Sequence, residues 1–152
     1  MQLIAREQIV AQARSWVGVP FAHMGRSREK GVDCAGLVHG VYASLYGEVP
    51  EIGSYPAAPN PNHVLAMLDR YGVKSEKTQE QLQPGDVAAL WGVDPGTPRH
   101  VAIIGWDPMC RRITMIHAFS KPKKVVEHSW DQFWAKRYVC AYEFPNAAPW
   151  EG

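Results

Sequence analysis

Three cysteines and six histidines are the residues of this chain best suited to nucleophilic and acid–base chemistry. A thiol attacks as its thiolate. It needs an imidazole within hydrogen-bond reach to take its proton, and a third group to orient that imidazole. Cys34 has the right position. Asp33 before it is a good N-cap and Gly47 a good terminator, so residues 34–46 read as a helix with Cys34 in its first turn. Free backbone N–H groups and the helix dipole favour a thiolate there, which predicts a lowered thiol pKa. At about 100° per residue, Cys34, Leu37, Val38, Val41 and Leu45 share one face that must pack on the rest of the fold. Cys110 reads as an exposed or half-buried turn thiol, and Cys140, within Tyr138-Val139-Cys140-Ala141-Tyr142, as a core strand residue.

Two histidines, His100 and His117, belong to apolar runs of β character. The connection Asp107-Pro108-Met109-Cys110 carries the Asp-Pro signature of a type I turn. With Asp107 facing Cys110, His100 falls directly opposite His117, on one face, with β-carbons about 5 Å apart. That places one as base and the other as its orienter. The register decides this, because a one-residue change in loop length sends His117 to the other face. His39 projects about 140° from Cys34 around the helix and reads as a surface residue. His63 and His128 read as solvated, and His23 is placed to line a pocket. Taken singly, either strand histidine is more simply a partly buried residue satisfied by backbone. The pair together with a helix-start cysteine points to a cysteine hydrolase. A zinc site of Cys34, His100, His117 and a water is the competing arrangement, but no paired-ligand spacing supports it, and no metal or cofactor is expected.

The remaining elements must position these groups. Residues 5–17 read as a helix and 21–32 as a loop carrying three positive charges. Glu48 to Asn62, with Pro50, Pro56, Pro59 and Pro61, is a connection. A third helix runs from Pro61 to Tyr71, capped by Asn60 and closed by Gly72. After Leu82-Gln83-Pro84-Gly85-Asp86 come strand-like runs at 87–91, 100–106, 113–119, 124–127 and 138–144. Helices first and an antiparallel sheet afterwards make an α+β fold, here one domain over 1–152. An odd cysteine count with wide spacing is no disulfide framework. A net charge of +1 gives no bulk attraction to nucleic acid or to a membrane surface. The basic run Lys121-Pro122-Lys123-Lys124 reads as a solvated turn. The N-terminus lacks the apolar stretch of a signal peptide, and no segment approaches membrane-spanning length.

The stretch Val32-Asp33-Cys34-Ala35-Gly36-Leu37-Val38 resembles the Asp-Cys-Ser-Gly-Leu-Val nucleophile motif of the NlpC-type cell-wall cysteine peptidases. Gly18-Val19-Pro20-Phe21 is similar to that family's Gly-x-Pro-Tyr loop, and Leu82 to Val87 to its Pro-Gly-Asp segment leading into the sheet. His100-Val101-Ala102-Ile103 resembles its base motif, and Ile116-His117-Ala118 the segment of its third, polar residue. The resemblance implies a papain-like fold and cleavage of peptidoglycan stem peptides, typically between D-glutamate and a diamino acid. It implies that Cys34, His100 and His117 are nucleophile, base and orienter, and that Phe21, His23 and Asp33 lie against the substrate. The loop Phe21 to Arg26 is similar to that of members encoded with phage tails. This implies a protein made in the cytoplasm and carried to the wall on a tail or related particle, with tail proteins as partners. Two departures stand out: Ala35 for serine, and Phe21 for tyrosine, which removes a hydroxyl. The same family resemblance leaves open a structural tail-tip role and a thiol acyltransferase or amidase activity on another substrate.

Overall fold

A computed structural model of the chain describes residues 2–49 and 61–152. In chain order the elements are α1 (Arg6–Arg14), β1 (Arg26–Ser27), β2 (Gly31–Val32), α2 (Cys34–Tyr46), α3 (Pro61–Tyr71) and β3 (Val73–Ser75). There follow β4 (Asp86–Trp91), β5 (Pro98–Asp107), β6 (Arg112–Phe119), β7 (Lys124–Ser129), α4 (Gln132–Ala135) and β8 (Tyr138–Glu143). Six strands form one antiparallel sheet in the order β3-β8-β4-β5-β6-β7. This is the α+β, papain-like architecture that the sequence implied.

α2 starts and stops where its signals lie. The Asp33 carboxylate accepts from the Gly36 N–H at 2.8 Å, and Gly47 ends the helix at φ 84°. α1 is shorter than the expected 5–17, because residues beyond Arg14 tighten into i→i+3 bonds, Trp16 N–H to Ala13 and Val17 N–H to Arg14. The expected loop over 21–32 contains the small hairpin β1–β2. The run expected to end at Glu127 continues to Ser129. The Asn60 cap and Pro50, Pro56 and Pro59 lie outside the described residues.

The sheet has two apolar faces. Leu37, Val38 and Val41 of α2 are buried with Val101, Ile103, Ile116 and Ala118 in the larger core. Each leucine, isoleucine or valine among them contributes roughly 1.5–3 kcal/mol on burial. The alternate residues Leu90, Ala102 and Met115 point the other way and are covered by Trp134 of α4. Two glycines of α2 permit close approach. A β-carbon on Gly40 would strike the Trp16 ring, and one on Gly36 would strike the Gly25 carbonyl oxygen. Gly36 therefore lets the loop ahead of the helix close onto its first turn.

The Pro-Gly-Asp segment ties the N-terminal helix to the sheet. Asp86, fully buried, meets the Arg6 guanidinium at 2.8 Å and the Lys77 ammonium at 2.8 Å. Arg6 also binds Glu143 at 2.6 Å and donates to the carbonyls of Pro84 and Ala148. Both buried charges are thus paired and hydrogen-bonded, the condition under which they are tolerated.

The β5–β6 register corrects the sequence reading. Asp107 pairs with Arg112, not Cys110, so the connection has four residues. The Asp107 carboxylate caps it by accepting from the N–H groups of Met109 and Cys110, and Arg111 takes φ 53°. With Ile103 opposite Ile116, His117 lies one residue past that pair. His100 and His117 are therefore diagonal neighbours two positions apart, not direct partners. A shift of two preserves the face, which is why the imidazoles still meet.

Candidate active site

Cys34 sits in the first turn of α2, half-buried, with the backbone N–H groups of Val101 and Ala35 and its own directed at the sulfur. Val101 is the neighbour of His100. The helix and the imidazoles nevertheless belong to opposite sides of the sheet. Val101 and Ile103 face α2, whereas His100 shares the face of Ala102 and stacks with Trp134, ring centroids 5.4 Å apart. Cys34 and His100, at the end of β5, both line one cleft of about 540 Å³. A bulge aims His100 there. Leu90 pairs with His100 but Trp91 pairs with Pro98, so Arg99 is an extra residue in β5.

His100 is held from the neighbouring strand. Its Nε2 lies 2.7 Å from Nδ1 of His117, which is fully buried. Phe119 and Trp134 pack against both rings. His117 in turn lies 2.9 Å through Nε2 from Nε2 of His128, whose Nδ1 is 2.9 Å from the Ser129 carbonyl oxygen. The sequence reading placed His128 in solvent because it ended the strand at Glu127. Continuing the strand puts His128 opposite Met115, on the face of His117. α4, which brings Trp134 to this cage, was also missed. Its signal is Asp131, whose carboxylate caps the Trp134 N–H at 3.1 Å.

Burial keeps the resting pair neutral. Desolvation, with the nearby Asp33 carboxylate adding, pushes the Cys34 thiol up to about 12 against the pull of its N–H donors. Desolvation lowers His100 to about 4, and burial together with the two flanking imidazoles lowers His117 to about 2. The thiolate expected from the helix start is thus not the resting state. Loss of solvent outweighs the helix terminus.

The same shifts fix an acid sensitivity. Above the ordinary histidine value of 6.5 the folded and unfolded chains carry these rings alike. As the pH falls from 6.5 to about 4, the unfolded chain binds protons that the folded chain refuses, so stability is lost across that window. The melting temperature is expected to drop over this range in wild type and less steeply in His117→Asn. Parallel curves for the two proteins would contradict the assignment.

The other expected residues divide. Phe21 and His23 line the cleft. Asp33 is at its wall, but its carboxylate is committed to the fold, accepting from Met24 N–H at 2.8 Å, Gly36 N–H and the Arg26 guanidinium at 3.2 Å. His63, read as solvated, lines the cleft from α3. His39 is half-buried rather than on the surface, its Nδ1 2.7 Å from the Tyr71 hydroxyl. Lys121 and Arg137 stand at the rim, with the Arg137 guanidinium over the rings of Phe133 and Trp91. Among the described residues no histidine, cysteine and carboxylate cluster could hold a metal ion.

A helix-start thiol sharing a cleft with an imidazole carried by an antiparallel sheet is the arrangement of a papain-like cysteine peptidase. The sequence matches the profile of the NlpC/P60 family over residues 18–143. This chain belongs to that family. Among solved structures it is similar to the NlpC/P60 domain of the peptidoglycan hydrolase SagA, with 27% identity, TM-score 0.62, and coverage of 93% of this chain and 100% of that one. It is also similar to an NlpC/P60 family protein from Bacillus cereus, with 23% identity and TM-score 0.65. That match covers 94% of this chain but 41% of the other. The peptidoglycan hydrolase RipB from Mycobacterium tuberculosis matches with 20% identity, TM-score 0.59, and coverage of 91% and 63%. No curated protein matches the chain.

Proposed function

We propose that this protein hydrolyses an amide bond in peptidoglycan stem peptides, between D-glutamate and a diamino acid, with Cys34 as nucleophile, His100 as base and His117 as orienter. The observation that carries this is the shared cleft of Cys34 and His100, with His100 held at 2.7 Å by His117. Cys34 attacks the carbonyl carbon while its proton passes to Nδ1 of His100, the nitrogen not bonded to His117. The oxyanion takes hydrogen bonds from backbone N–H groups at the helix start. Collapse expels the amine with the proton from His100 and leaves a thioester. Water, deprotonated by His100, then releases the acid and restores the thiol. Lys121 and Arg137 at the rim suit the carboxylates of a stem peptide, and SagA and RipB are peptidoglycan hydrolases. Phe21, His23 and Asp33, which line the same cleft, are the residues proposed to lie against the substrate. The likeness of the Phe21 to Arg26 loop to tail-encoded members supports delivery on a phage tail. Finding the chain in purified particles would test that part.

Digestion of purified sacculi by the protein, with mass spectrometry of the products, tests the activity. New D-glutamyl carboxyl ends are the expected result. Intact sacculi, or cuts only at other bonds, would refute it.

His117 has to accept from His100 and donate to a further partner, and a carboxamide can do both. His117→Asn and His117→Gln are therefore expected to retain turnover within about a hundredfold of wild type, and His117→Ala less, the range seen when an outer partner of a functional imidazole is lost. Steady-state rates on a stem peptide at matched thermal stability check this. Equal rates for His117→Ala and His117→Gln would remove its role.

A further inference from the structure

The three imidazoles form a chain that ends on a group able only to accept. The Ser129 carbonyl, 2.9 Å from Nδ1 of His128, requires a proton on that nitrogen. A neutral His128 then offers a lone pair at Nε2, so His117 donates from its own Nε2 across 2.9 Å. His117 is left with a lone pair at Nδ1, and His100 donates to it from Nε2 across 2.7 Å. The proton of neutral His100 is thereby used, and its Nδ1 is bare. Each link of the chain decides the next.

The geometry is regular as well as consistent. Met115 pairs with His128 and Val126 with His117, so His128 is the diagonal neighbour of His117, just as His117 is of His100. Both ring pairs have centroids 5.0 Å apart in edge-to-face arrangement. Phe119 and Trp134 close over His117, which is fully buried and has both nitrogens engaged. Without an acceptor at His128, His117 Nε2–H would be a buried donor with no partner. Either tautomer of His117 would then leave one nitrogen unsatisfied. The two would be more nearly equal, and His100 would divide its proton between both nitrogens.

We propose that His128 is a positioning residue of the active site: anchored on the Ser129 carbonyl, it sets the tautomer of His117 and through it leaves His100 Nδ1 free as the base. The kinetic part rests on the hydrolase reading above, whereas the tautomer assignment stands without it.

The test combines two variants with two measurements. In wild type, long-range proton–nitrogen correlation spectra of the histidine rings are expected to show His100 and His117 protonated on Nε2 and His128 on Nδ1. His128→Gln, whose carbonyl can accept from His117, is expected to keep that pattern and keep kcat within about twofold of wild type. His128→Phe is expected to mix the His100 tautomers and lower kcat on the order of tenfold with KM unchanged, since outer partners of functional imidazoles are worth about ten- to a hundredfold. Resting His100 protonated on Nδ1 in wild type would overturn the proposal whether or not the variants fold. So would full kcat and an unmixed His100 in His128→Phe, or equal losses in His128→Gln and His128→Phe at equal thermal stability. Inactive wild type with the expected tautomers would refute the hydrolase reading and leave the chain intact.

Discussion

Cys34→Ala is expected to lower turnover of a stem peptide by on the order of 10⁵-fold or more, the scale seen when a covalent nucleophile is removed. Cys34→Ser is expected to be nearly as poor. A hydroxyl is a far weaker acid than a thiol, and the site already pushes Cys34 up to about 12 by burial, so His100 has no means of activating an alcohol there. The fold should survive both changes, because Cys34 is half-buried at the margin of the core, which Leu37, Val38 and Val41 fill. Cys110 is exposed in a turn, and Cys140 lies on β8 and is not among the residues lining the cleft. Alanine at either is expected to leave turnover within about twofold, as for changes remote from the reacting atoms. Turnover measured on the four purified variants checks this, and comparable loss in Cys110→Ala or Cys140→Ala without unfolding would show the wrong thiol has been assigned.

His100→Gln is expected to lower kcat by at least about 10⁴-fold, with KM little changed. Burial pushes the thiol up to about 12, so in the proposed mechanism each attack requires proton transfer to His100, which His100→Gln removes. The amide of glutamine can keep the hydrogen bond to His117 but has no basic nitrogen. This separates it from His117→Gln, where orientation alone is altered. A full kinetic comparison at matched melting temperature distinguishes them. If His100→Gln stayed active while His117→Gln were dead, the two roles would be reversed. If neither change mattered, the imidazole pair would be only part of the packing beneath Trp134.

The local signals in the sequence were strong where a single side chain meets its own backbone. Asp33 caps α2 and Gly47 ends it, so both bounds of that helix were readable, and with them the place of Cys34. The face shared by His100 and His117 was readable because strand alternation has period two and survives a shift of two residues. The register itself was not. It depends on the Asp107 carboxylate capping two N–H groups and on Arg111 adopting φ 53°, neither of which the Asp-Pro pair announces. The thiol pKa was misjudged because a helix terminus can be read from sequence, while desolvation depends on what else closes over the sulfur. His128 was missed for a related reason. Its meaning comes from a cross-strand neighbour in β6, and a solitary histidine at the end of an apolar run carries no such mark. Likewise, nothing in the helix periodicity tells that α2 and the imidazoles lie on opposite faces of the sheet and share a cleft at the end of β5.

The most direct test of the central claim is to trap the acyl-enzyme. The protein is mixed with a stem peptide, quenched in acid during turnover, and examined by intact mass and peptide mapping. A thioester through the substrate's glutamyl carbonyl on the peptide containing Cys34, absent in Cys34→Ala and hydrolysed on longer incubation, is the predicted result. Turnover that proceeds with no adduct on Cys34, or with the adduct on Cys110 or Cys140, would contradict it.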